Sequence, residues 1–184
     1  MVTNLAKRVM TTNGQKACRV IDHLVEALGG DASSSLRRAM ILVDIDQHPE
    51  TSQADIMDRL QIHKSAVNRE VEWLFNYGCI VMRDCANDGR AKRLQVCGYS
   101  KAALDDALNY FGGRHENVLG FLKATAGYLR QEKPTLREAK IVAFLNVHKG
   151  AEKTEIVKGL YHGSASTKNR VINKLVQDGV VADG

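Results

Sequence analysis

The chain has 184 residues, enough for one medium domain or two small ones. With 44% hydrophobic and 26% charged residues it is not globally disordered, and two prolines with 5% aromatics argue against a β-sandwich or barrel. Lys and Arg outnumber Asp and Glu by 26 to 21, a basic excess that permits a polyanionic partner.

In chain order, residues 15–28 put Val20, Ile21, Leu24, Val25 and Leu28 on one helical stripe. A helix over residues 36–48 carries Leu36, Ala39, Met40 and Val43 inward, and Pro49 stops it. Thr51 or Ser52 can cap a short helix ending at Leu60, with Ala54, Ile56 and Met57 as its apolar residues. After a polar turn, Ser65 can open a third helix with Val67, Val71 and Leu74 inward, ending at Tyr77-Gly78. Residues 79–83 and 90–96 have strand character around the Asn87-Asp88-Gly89 turn signal, which predicts a β-hairpin. Two more helical stripes follow over residues 101–111 and 118–130, divided at Gly112-Gly113. Pro134 and Thr135 open a second unit with helices over 136–147, 153–160 and 166–177. Residues 180–184 lie where a first wing strand would begin, so no complete second wing is expected.

The second unit repeats the first. At an offset of 100, Leu36, Arg37, Ala39, Ile41, His48, Ile56 and Leu60 recur as Leu136, Arg137, Ala139, Ile141, His148, Ile156 and Leu160. A one-residue gap moves the offset to 101, where Ser65, Asn68, Arg69, Leu74 and Gly78 recur as Ser166, Asn169, Arg170, Leu175 and Gly179. The organisation expected is mainly α with a small β-hairpin: a tandem winged helix-turn-helix with units at residues 1–132 and 133–184.

A short helix, a turn and a second helix with a polar outer face can lay that second helix in a DNA major groove. A basic hairpin directly after it can follow phosphates or enter the minor groove. Residues 51–96 resemble the winged helix of MarR-type transcriptional regulators. The resemblance rests on Ser65-Ala66-Val67-Asn68-Arg69, on Leu74 before Gly78, and above all on Asp88-Gly89-Arg90-Ala91-Lys92-Arg93. It extends over residues 31–129 and departs at Val96-Cys97, where the family has Leu-Thr. It implies sequence-specific binding of double-stranded DNA, most simply as a repressor. It also implies a homodimer built by the flanking helices, for which Ile21, Leu24, Leu28, Leu119, Leu122 and Leu129 are the candidates.

The expected DNA contacts are Lys64, Ser65, Asn68 and Arg69 in the first unit, Arg83, Arg90, Lys92 and Arg93 on the hairpin, and Ser164, Ser166, Lys168, Asn169, Arg170 and Lys174 in the second unit. Asn suits adenine and Arg suits guanine in bidentate contacts. Glu70 and Glu72 neutralise the first reading helix, whereas residues 156–177 hold no acid, so the second unit is expected to be the stronger electrostatic contact. Lys168 aligns with the core position Val67 and either snorkels or marks a misplaced gap.

Alternatives are replication or partition of a mobile element, or a protein-interaction module. No phosphate loop, zinc-protease or nucleophile-elbow motif is present, so no catalysis is expected. Cys18, Cys79, Cys85 and Cys97 lack zinc spacing, and neither metal nor cofactor is expected. A small-molecule effector has no residue pattern demanding it. Lys7, Arg8, Asn13 and Gln15 interrupt any signal-peptide core and no apolar run could span a bilayer, so a cytoplasmic, nucleoid-associated location with no membrane partner is expected.

Overall fold

The structure, a computed structural model, describes residues 14–85, 88–160 and 162–181, with the backbone alone at residues 85 and 88–91. Its regular structure is mainly helical: nine helices and one two-stranded antiparallel sheet among the described residues. No helix among them is long and apolar enough to cross a membrane.

Helix α1, Gly14–Ala27, buries Ala17, Val20, Ile21 and Leu24, the i, i+3, i+4, i+7 stripe that makes a helix one-sided. Asp31 organises the loop after it by accepting the Ser33 N–H at 2.9 Å and the Ser34 hydroxyl at 3.0 Å. Ser35 caps α2, Leu36–Gln47, its hydroxyl accepting the Arg38 N–H at 3.1 Å. His48 ends α2 directly before Pro49, which disfavours helical geometry in the residue preceding it. Ser52 and Asp55 form a capping box that starts α3, Gln53–Leu60. Helix α4, Lys64–Asn76, begins after His63 and stops at Tyr77, with Gly78 supplying φ of 70° for the reversal.

Strands β1, Ile80–Cys85, and β2, Asp88–Val96, pair from Ile80↔Val96 to Asp84↔Lys92, with an irregularity between Asp84 and Cys85. Leu94 ties β2 to the body. Its N–H donates to the Thr51 carbonyl at 2.9 Å, its carbonyl accepts the Glu50 N–H at 3.0 Å, and its side chain is fully buried. Helices α5, Gly98–Asn109, and α6, His115–Leu129, follow, and then α7, Leu136–Val147, α8, Lys153–Gly159, and α9, Ala165–Gln177.

The repeat is visible in three dimensions. Ser35 and Thr135 cap α2 and α7, His48 and His148 close them with similar backbone angles, and Gly78 and Gly179 reverse the chain after α4 and α9. The correspondence extends to the leading helices. Ala17, Val20, Ile21, Leu24 and Leu28 of α1 and its end match Val118, Phe121, Leu122, Thr125 and Leu129, each pair 101 positions apart and buried.

The packing is crossed. Helix α1 lies against α5 and α7, while α6 lies against α2. Between the units, the Leu36 N–H donates to the Pro134 carbonyl at 2.8 Å and the Leu136 N–H to the Ser34 carbonyl at 2.9 Å, a reciprocal antiparallel bridge at Ser35 and Thr135. Gly14 makes the α1–α7 approach possible, because a Cβ there would sit 2.6 Å from Val147 Cγ2. Lys140 of α7 donates to the Cys18 carbonyl at 2.9 Å and pairs with Asp22.

This crossing changes the role of the six residues expected at a dimer interface. Ile21, Leu24 and Leu122 are fully buried and Leu28, Leu119 and Leu129 are at most 9% exposed within a single chain. They belong to one buried cluster running across residue 132, so none has surface left to offer a second copy.

Candidate nucleic-acid interface

One face of α4 and the matching face of α9 point outward. On α4, Lys64, Ser65, Asn68, Arg69 and Glu72 are exposed, while Val67, Val71 and Leu74 are buried. On α9, Ser166 and Arg170 are exposed and Asn169 is half-buried, with Ile172 and Leu175 inward. The Ser-x-x-Asn-Arg row is therefore displayed twice, on the first two turns of helices that each follow a short helix and a turn.

The two helix starts are held differently. The His63 imidazole Nδ1 accepts the Ser65 N–H at 3.3 Å and lies 2.9 Å from the Ser65 hydroxyl, so Ser65 is partly engaged. At α9 the cap is Ser164, whose hydroxyl accepts the Thr167 N–H at 3.2 Å, which gives Ser164 an intramolecular role. Both helices start one residue before the serine that the sequence pattern picked as their first residue.

Glu70 of α4 is held from the inside as well as from the outer face. It is 5% exposed and accepts from Arg38 Nε at 2.9 Å, while the Arg38 guanidinium stacks 3.7 Å over the Trp73 ring. Its shorter ion pair is the inner one, and Glu72 is the exposed acid on the face that carries Lys64 and Arg69. Arg69 also reaches Glu70 at 3.6 Å.

Lys168, expected at the DNA surface, faces the interior. Its Nζ turns inward, donating to the Val157 carbonyl at 3.1 Å and to the Leu160 carbonyl, at the end of α8. A buried ammonium persists where carbonyl oxygens replace its water, and the last turn of a helix supplies carbonyls with no intrahelical partner. Lys168 thus cannot touch a duplex. Lys174 remains exposed but donates to Gln131 Oε1 at 2.8 Å and lies 3.4 Å from Glu138 Oε1. With Lys168 inward and Lys174 shared, the exposed cations near α9 that remain are Lys158 and Arg170, together with Lys153, which donates to Asn173 of α9.

On the hairpin, Arg83 is exposed and sits opposite Arg93 in the register. Arg93 donates to the Glu50 carbonyl at 3.2 Å, and Lys92 pairs across the strands with Asp84. The side chain of Arg90 lies outside the described residues. Lys64, Arg83 and Arg170 form no ion pair among the described residues.

A cleft lies elsewhere. It measures about 920 Å³ and is lined by Val142, Leu145, Ile156 and Ile172, with Tyr128 and Val180 at its rim. These positions correspond to Leu42, Ile45, Ile56 and Val71 of the first unit, the side on which β2 packs across α2. No group of three potential metal ligands occurs among the described residues.

Burial, the larger influence, pushes the Cys18 thiol up despite the nearby Lys140 cation, and burial likewise raises Cys79.

Among the described residues the architecture is thus mainly helical, with one antiparallel hairpin and a repeated three-helix unit. Comparison with protein-family models, curated proteins and solved structures found no match to this chain.

Proposed function

We propose that this protein is a sequence-specific, double-stranded-DNA-binding regulator of transcription that represses by covering promoter DNA. In this reading α3–α4 and α8–α9 are helix-turn-helix units, and β1–β2 is a wing attached to the first. The observation that carries it is the doubled outward row Ser65, Asn68, Arg69 and Ser166, Asn169, Arg170 at the starts of α4 and α9. Residues at the start of a reading helix reach base edges first, and this row supplies one amide and one guanidinium per helix. Arg83 on the strand directly after α4 adds a cation suited to phosphate.

The test is a titration of purified protein against duplex DNA across a range of salt concentrations. Binding tightens as salt falls, with each phosphate contact contributing about 0.9 to the slope of log K against log salt. Arg83→Ala and Arg170→Ala each lower that slope by about 0.9. An unchanged slope in either variant removes that side chain from the interface, and failure to retain any duplex at low salt ends the proposal.

A further inference from the structure

We infer that a single chain reads one duplex through two half-sites in inverted orientation, so that the two-fold relation a regulator usually obtains by dimerising is here internal. The inference rests on the DNA-binding reading and goes beyond it by naming the stoichiometry and the symmetry of the target.

The argument is one of reciprocity. In a head-to-tail repeat the leading surface of each unit meets the trailing surface of the next, and one of each is left unpaired. In a two-fold arrangement every contact occurs twice with the partners exchanged. The backbone bridge and the helix packing between the units follow the second pattern. Exchanging the units turns the Leu36 N–H to Pro134 carbonyl bond into the Leu136 N–H to Ser34 carbonyl bond, and both are present at 2.8 and 2.9 Å. With α1 counted to the first repeat and α6 to the second, the same exchange turns the packing of α1 on α7 into the packing of α6 on α2, and both are present. The isolated bridge at Ser35 and Thr135 is antiparallel, the local geometry of a two-fold. Two independent kinds of contact, backbone bonds and helix packing, therefore give the same relation.

A two-fold rotation leaves the component of any direction along its axis unchanged. In the inferred complex the reader faces of α4 and α9 look along that axis, and so the same way, toward one side of the molecule. Two-fold-related readers on one face of B-DNA recognise half-sites that run in opposite directions, about 10 base pairs apart centre to centre or a multiple of that. The shared Asn and Arg of the two rows give both half-sites a common adenine-and-guanine core. Their flanks differ, because Glu72 and Trp73 of α4 are replaced by Asn173 and Lys174 on α9, so the palindrome is imperfect.

The experiment is selection of bound duplexes from a random pool with the full-length protein, followed by native mass spectrometry of the protein with a recovered site. The expected result is an imperfect inverted repeat occupied by one chain. Asn68→Ala then relaxes base preference in one half-site and Asn169→Ala in the other, each weakening binding roughly 5- to 150-fold. Recovery of direct repeats, of a single half-site, or of two chains on each inverted repeat overturns the inference while leaving DNA binding intact. Recovery of no enriched duplex overturns the DNA-binding reading itself, and the inference with it.

Discussion

Lys168 shows how one side chain can look like a ligand contact and serve the interior. It lies on a basic stretch of α9, yet its ammonium bridges the Val157 and Leu160 carbonyls, tying the end of α8 to the start of α9. Its alignment with the buried Val67 was the legible signal. What the sequence could not supply is where the ammonium finds acceptors, since that depends on how α8 ends: Leu160 leaves the helix with extended backbone angles and frees its carbonyl. Methionine fills nearly the same volume but donates nothing. Lys168→Met is expected to lower stability by about 2 kcal/mol, the cost of leaving buried carbonyls unpaired, measured as a shift in the urea midpoint. The same variant leaves the salt dependence of DNA binding unchanged, which separates it from Arg170→Ala. Glu70 follows the same logic with the sign reversed: an acid that reads as part of a mixed outer face is buried against Arg38, through a contact 32 residues apart in sequence that no local pattern encodes.

At the scale of elements, the helices of the repeated unit were legible because their signals are local: Pro49, a cap at Thr51 or Ser52, Gly78 and 3.6-residue periodicity act within a few residues. The stripes of α1 and α6 were also legible, as apolar faces requiring a cover. Their cover was not, because the two helices share burial positions but hardly any identities; of the matched buried pairs only Leu28 and Leu129 are the same residue. The loop from α1 to α2, which delivers Ser34 and Ser35 to the bridge between units, offers a test of how that cover is held in place. Burial works against ionisation of Asp31, but hydrogen bonds from Ser33 and Ser34, with Arg38 nearby, outweigh it and hold the carboxyl below its ordinary value of 3.8. A carboxyl depressed in the native state contributes its stability in full above that value and loses it as pH falls through the lower native one. The urea midpoint of the natural protein should therefore drop as pH is taken from about 5 to below the ordinary carboxylate range. Asp31→Asn should start from a lower midpoint at neutral pH and fall less on acidification. Parallel acid profiles for the two proteins would show that the loop is not held by the ionised carboxyl.

The molecule as a whole is bound together by the crossing of its leading helices. Because α1 covers α7 and α6 covers α2, neither repeated unit completes its core alone, and a single buried cluster contains Ile21, Leu42, Leu122 and Ile141 together. Cutting at residue 132 removes the cover from the α7-facing side of α1, unpairs Asp22 from Lys140 and breaks both bonds of the bridge. A fragment of residues 1–132 is thus expected to bind apolar dyes and to lose amide protection along α1, in contrast to an independent domain, which would keep its own core. In the full chain the prediction is a single cooperative transition. Trp73 is the only tryptophan and lies in the first unit, so its fluorescence reports that unit alone, whereas far-ultraviolet circular dichroism follows the helices of both. If the core is shared, the two probes give the same urea midpoint, and Leu122→Ala lowers both together by the equivalent of roughly 2–5 kcal/mol. Separate midpoints, or a fragment as stable as the whole, would show two domains that merely touch, and the reciprocal contacts at Ser35 and Thr135 would then be a seam between them instead of the centre of one fold.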